Sequence, residues 1–99
     1  MTIYVDTIKR YDSGEWCHMA VDGTLDELHE FAQRIGLKRE WFQDHPVVKH
    51  YDLRASKRKL AIEHGAIEVS NCHLVAICSG KYPVMRYLAL REIEKKNND

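Results

Sequence analysis

The sequence has no surplus of either charge: fifteen Lys and Arg balance fifteen Asp and Glu in 99 residues. Without a global positive field the chain is not drawn to extended nucleic acid or an anionic membrane, so any anion binding must be local. It also lacks an apolar run approaching the roughly 20 residues of a membrane span, and Met1 to Asp6 reads as a strand rather than a signal peptide. A cytoplasmic protein with no membrane partner is expected. Disordered and fibrous stretches are missing as well. At 44% apolar and 30% charged residues, the composition is that of one globular domain with a modest core.

Familiar catalytic signatures are missing too. There is no C-x-x-C pair, H-E-x-x-H helix, Gly-rich phosphate loop or G-x-S-x-G elbow, which argues against common zinc motifs, ordinary nucleoside triphosphatase chemistry and serine hydrolysis. Cys17, Cys72 and Cys78 form an odd set. They read as reduced, small, buried apolar residues, with a reactive Cys17 beside His18 as the alternative.

What the chain does have is a dense polar run, Lys49-His50-Tyr51-Asp52-Leu53, followed by Lys57-Arg58-Lys59 at the start of a helix. Side chains alternate faces along a strand, so His50 and Asp52 point one way and Tyr51 and Leu53 the other. One face is then available for chemistry and the other for the core. Trp16-Cys17-His18-Met19 carries a similar load, so two strand ends are expected to converge on one polar pocket.

Ile3 and Val5 mark a first strand ending at Asp6, and Lys9 to Gly14 reads as a polar loop turning at Ser13-Gly14. Trp16 to Val21 is the second strand. Thr24 with Glu27 is a capping box opening a helix whose apolar stripe is Leu25, Leu28, Phe31, Ala32 and Ile35, with Gly36 as its stop. His29 borders that stripe and reads as a core-edge histidine. Trp16 and Trp41 read as core aromatics, or alternatively as stacking platforms. Leu37 to Phe42 is a strand or a short helix, and Gln43 to Pro46 is a loop. Val47 to Leu53 is the third strand, Ala55 to His64 a helix stopped by Gly65, and Ala66 to Val69 a short fourth strand. Ser70 caps a helix through Cys78. Pro83 opens the last helix, with Val84, Tyr87, Leu88 and Ile93 as its stripe, broadened by Met85 and Ala89; Lys95 to Asp99 is expected to fray.

The alternation of strands and helices predicts an α/β fold: a small, mostly parallel sheet of three to four strands with flanking helices, in a single domain. Residues 1–80 form its α/β body, and 81–99 an amphipathic helix and tail of the same domain. Asp6, Asp22 and Asp52 fall at strand C-termini, where ligands sit in such sheets.

Tyr4-Val5-Asp6, Trp16-Cys17-His18, Asp22 through Glu27-Leu28-His29 with Phe31-Ala32, Trp41-Phe42-Gln43, His50-Tyr51-Asp52, Lys57-Arg58 with Ala61, and Gly65-Ala66 together resemble the domain-of-unknown-function 4031 family of bacteria and their phages. The resemblance covers about residues 1 to 70, and Gly23 is an additional residue relative to it. It implies no activity of its own. The family's occurrence in phages implies a small accessory protein acting against host defences.

The leading expectation is a pocket for a small phosphate-bearing ligand, most plausibly a nucleotide, with no cofactor. Lys57 and Arg58 hold phosphate, His18 and His50 donate hydrogen bonds, Trp16 or Tyr51 packs on a ring, and Asp52 orients His50 or reads a hydroxyl. Cations in a first helical turn oppose the helix dipole, and a bound anion offsets that conflict. The alternative is a metal-dependent hydrolase or nuclease in which Asp6, His50 and Asp52 bind a divalent ion. A third reading is a protein-inhibiting module with a host protein as partner. The terminal helix, apolar on one side, predicts a homodimer.

Overall fold

Along the first strand Ile3 and Val5 point to one side and Tyr4 to the other, and this alternation divides the whole core in two. The computed structural model describes residues 2–97. Its strands are β1 (Thr2–Val5), β2 (Lys9–Tyr11), β3 (Gly14–Asp22), β4 (Phe42–Gln43), β5 (His50–Leu53) and β6 (Ile67–Glu68). Its helices are α1 (Leu25–Arg34), α2 (Ala55–Glu63), α3 (Asn71–Cys78) and α4 (Pro83–Asn97). On one face of the sheet, Ile3, Val5, Cys17, Met19, Val21, Tyr51 and Leu53 pack against α1 and α2. On the other, Tyr4 and Ala20 pack against Leu74 and Ile77 of α3 and Ala89 of α4. The result is a single α/β domain of three layers.

The capping box forms: the Thr24 hydroxyl accepts from the Glu27 amide, and the Glu27 carboxylate accepts from the Thr24 amide at 2.9 Å. A cap of this kind is worth about 1 kcal/mol. Leu28, Phe31, Ala32 and Ile35 are buried beneath it, each large side chain worth roughly 1.5–3 kcal/mol of burial. Leu25 is exposed, so the buried stripe is narrower than its sequence pattern. Gly36, at φ +84°, takes the left-handed conformation that ends the helix.

The expectation of a mostly parallel sheet is corrected. The strand order is β4-β5-β3-β1-β6, with β2 paired to β3, so the described residues form six strands. Every neighbouring pair is antiparallel except β1 with β6. The helical crossovers do exist. Helix α1 joins β3 to β4, and α2 joins β5 to β6, each linking strands that run in the same direction. One strand, β5, lies between β3 and β4, and two, β3 and β1, lie between β5 and β6, because the chain returns by hairpin-like connections. Parallel connection does not imply parallel neighbours when antiparallel strands interleave.

Several local expectations are also revised. Within the presumed polar loop, Lys9–Tyr11 forms β2, which pairs Tyr11 with Gly14 across the tight turn at Asp12-Ser13. Gly14 has φ +127°, and a Cβ there would meet the Arg54 guanidinium at 2.8 Å. Between α1 and β4 the ambiguous segment resolves into a 3₁₀ turn (Arg39–Trp41) followed by the short strand β4. Trp41 is exposed rather than core. Strand β5 begins only at His50. The last helix continues through Lys95 and Lys96 to Asn97, where fraying was expected. Asn98 and Asp99 lie outside the described residues. Among the described residues, no helix is long and apolar enough to cross a membrane.

Candidate functional site

The antiparallel register lays Asp6, His18 and Asp52 in one row across three strands. His18 of β3 pairs with Asp52 of β5, and Asp6, just past β1, donates its amide to the His18 carbonyl at 3.1 Å. All three side chains belong to the face covered by α3 and α4. His50 lies two residues before Asp52 and therefore shares that face. The C-terminal ends of β1 and β5 thus meet the N-terminal half of β3. Asp22 is at the opposite end of the sheet, paired in register with Thr2 and bonded to Arg86 of α4 at 2.7 Å, and takes no part in the site.

Asp6 is 1% exposed, and its carboxylate is fully engaged. Oδ1 accepts the His18 amide at 2.6 Å, and Oδ2 accepts His18 Nδ1–H at 2.7 Å and the Asn71 side-chain amide at 2.9 Å. Burial pushes its pKa up, but these donors outweigh burial and hold the carboxyl below its usual range. An ionised Asp6 accepts from Nδ1, so the free nitrogen of neutral His18 is Nε2.

His50 is fixed in the same sense. Its Nδ1 lies 2.8 Å from the Val48 carbonyl, which can only accept, so Nδ1 carries a proton and, in the neutral ring, Nε2 carries the lone pair. Both free nitrogens then face Asp52: Oδ1 lies 3.3 Å from His50 Nε2 and 4.0 Å from His18 Nε2. The two rings meet edge to face with centroids 4.9 Å apart. One ligand atom from each of His18, His50 and Asp52 falls within 4.8 Å of the others. The His50–Asp52 separation matches the roughly 3.0–3.4 Å edge of a coordination polyhedron with bonds of about 2.1 Å, and His18 stands farther out.

A cleft of about 620 Å³ opens beside this cluster, lined by His18, His50, Asp52 and Trp16 together with β2–β3 hairpin residues, the loop before β5 and α3. Trp16 is held by two contacts. Its Nε1–H donates to Ser13 Oγ at 3.1 Å, and the Arg54 guanidinium lies 4.4 Å from its ring centroid. His45, from the loop, is also in the lining; it accepts the Val47 amide at Nδ1, and its ring centroid is 5.9 Å from that of His50.

The other residues anticipated for a site are elsewhere. Tyr51 is buried on the α1 face, its hydroxyl 2.9 Å from His29 Nδ1. Lys57 donates to the Ile35 carbonyl at 2.9 Å. Arg58 donates from Nε to the Asp6 carbonyl at 2.9 Å and pairs with Glu68 at 3.1 Å. Helix α2 packs against the far face of the sheet, so its cations fasten the scaffold rather than line the cleft. Of the anticipated set Asp6, His50 and Asp52, Asp6 stands behind His18, and the group whose ligand atoms converge is His18, His50 and Asp52. The alternative of a reactive Cys17 fails: burial pushes that thiol up to about 12, and it points into the α1 face. Cys72, read as buried, is exposed.

Asn71 and His45 were missed. Neither carries a motif, and Asn71 reaches Asp6 across 65 positions of sequence. The one available hint for His45 was a histidine directly before Pro46 in the loop leading to the His-Tyr-Asp strand.

No curated protein and no solved structure matches the chain. A family model described as a protein of unknown function, DUF4031, matches residues 3–81 and so spans every residue of the cluster and the cleft just described. The match covers well over half of the sequence, and the chain belongs to the DUF4031 family.

Proposed function

We propose that the chain binds a divalent transition-metal ion through His18 Nε2, His50 Nε2 and Asp52 Oδ1, and uses it to activate water for hydrolysis of a small substrate in the adjoining cleft. One observation carries this reading: two imidazoles, each with Nδ1 committed as a donor, direct free Nε2 lone pairs toward a single carboxylate oxygen. Lone pairs and a carboxylate repel unless a cation lies among them. A proton supplies that cation to one pair at a time, whereas a metal ion supplies it to all three groups at once.

The surroundings support the same reading. Metal-bound histidines commonly give their second N–H to a carboxylate or a backbone carbonyl, as His18 gives to Asp6 and His50 to Val48. Three protein ligands would leave coordination positions for water, and an ion held by them would lower the pKa of that water, as zinc does to about 7 in hydrolytic sites. A phosphate pocket keeps His18 and His50 as donors but loses Lys57 and Arg58, which are committed on the opposite face. Elemental analysis of purified protein, with calorimetric titration of zinc and manganese, tests the proposal. Stoichiometric binding abolished in His50→Ala is expected; no binding of either ion overturns it.

We also infer a homodimer built on α4. Ala89, Leu90 and Ile93 dock this helix onto its own domain, while Val84, Met85, Tyr87 and Leu88 stay exposed, Val84 at 70%. Four large apolar side chains on one face form a patch that a two-fold partner buries.

A further inference from the structure

The cleft has a second wall that metal chemistry alone does not use. Val47, Leu74 and Val75 line it on the side of the loop and α3, and Tyr11 and Trp16 on the side of the hairpin. Its volume of about 620 Å³ is that of a small-molecule site.

Charge narrows the ligand further. Among the described residues lining the cleft, none is Lys or Arg. The Arg54 guanidinium is stacked on Trp16, with Nη2 3.4 Å from the Ser13 carbonyl. Asp52 and the Asp6 carboxylate behind His18 together match the two positive charges of a divalent ion. The charge of the ion is thus met by these two carboxylates, and among the described lining residues there is no guanidinium fork to grip a phosphate.

The remaining attraction is apolar and aromatic. The Trp16 ring is fixed by Ser13 and Arg54, so little side-chain freedom is lost when a ligand packs on it. We propose that the cleft takes a small uncharged molecule bearing a flat aromatic or heteroaromatic ring. The ring rests on Trp16 and the wall formed by Val47 and Val75, and a carbonyl or ring nitrogen turns toward His18, His50 and Asp52. The polar end of this assignment rests on the metal reading above; the ring end rests on the cleft lining alone.

Nitrogen-15 NMR of the full chain, with and without one equivalent of zinc, separates the two. The probes are benzamide, acetamide and phenyl phosphate. Benzamide is expected to shift the Trp16 indole N–H and the Leu74 and Val75 amides in both samples. It should bind about tenfold more tightly than acetamide, and more tightly than phenyl phosphate. Trp16→Ala should remove most of that preference, and Val47→Ser, which leaves the indole in place, should reduce it. Equal binding of acetamide and benzamide, preference for phenyl phosphate, or shifts confined to the α4 surface overturns the inference. Failure of zinc to move the His18 and His50 resonances counts against the metal reading alone, since the benzamide response at Trp16 is read independently.

Discussion

Asp6 grips His18 with both carboxylate oxygens, Oδ1 on the backbone amide at 2.6 Å and Oδ2 on ring Nδ1 at 2.7 Å. The first bond fixes where β3 lies against the end of β1, and the second fixes which imidazole nitrogen faces the cleft. Fold and site thus share one buried carboxylate.

Replacing that carboxylate should damage both. In Asp6→Asn the side chain can no longer accept from the His18 amide, His18 Nδ1–H and Asn71 together without presenting an N–H to one of them. A loss of about 1–3 kcal/mol in urea denaturation is expected. Zinc affinity should fall about 10–100-fold, the usual cost of removing a histidine's supporting carboxylate. Unchanged affinity in a folded variant would contradict the orienting role.

The response to pH should change sign when metal is added. In metal-free protein burial pulls His50 down, but its bonds to Asp52 and the Val48 carbonyl outweigh this and raise it above the ordinary imidazole value. Its hydrogen bond from His50 holds Asp52 below the ordinary carboxylate range, burial opposing. The raised histidine stabilises fully below about pH 6.5, and that contribution is lost as pH rises through its folded value. The lowered carboxylate stabilises above about pH 3.9 and loses its contribution as pH falls through its folded value. Zinc displaces the His50 proton, so its stabilising effect should grow with pH. Melting curves at pH 6 and pH 8, with zinc or with chelator, check this: the zinc-induced rise in Tm should be larger at pH 8.

Arg58 is expected to matter for stability and not for anion binding. Arg58→Ala removes the bond to the Asp6 carbonyl and the pair with Glu68. A destabilisation of about 1–3 kcal/mol is expected, with no change in the thermal shift produced by inorganic phosphate.

The cysteines should separate by reactivity. Burial pushes Cys17 and Cys78 up to about 12, while Cys72 is exposed. At pH 8 the native protein should therefore take up one iodoacetamide, at Cys72, and the urea-unfolded chain three. Peptide mass mapping reads the outcome, and native labelling of Cys17 would contradict its burial.

Assembly through α4 is tested at Leu88, which is 51% exposed. Leu88→Asp should convert a dimer into a monomer in light scattering at high micromolar concentration, and should lower the concentration dependence of Tm while costing the isolated protomer no more than about 0.5 kcal/mol, as for other surface changes. A monomeric parent protein removes the dimer altogether.

Features governed by local periodicity were legible in the sequence. Alternation gave the division of His50 and Asp52 from Tyr51 and Leu53, and the Thr24–Glu27 spacing gave the start of α1. Long-range pairing was not. Nothing local states that residue 6 sits beside residue 18, or that β5 enters between β3 and β4, because that order depends on how whole hairpins pack. Lys57 and Arg58 were assigned to the pocket for the same reason: a helix pattern shows which residues share a side, but not which face of the sheet that side will cover.

Two of the three proposed ligands stand two positions apart on a single short strand, and the third is the partner of one of them across the ladder. Deletion of Tyr51 would make His50 and Asp52 adjacent and so place them on opposite faces, driving one of the two into the hydrocarbon of the opposite layer. Length changes in the connection before Val48 leave that parity, and the carbonyl that holds His50, in place. The mouth of the cleft therefore has room to be remodelled by insertion, while the strand behind it admits substitution but no change of length.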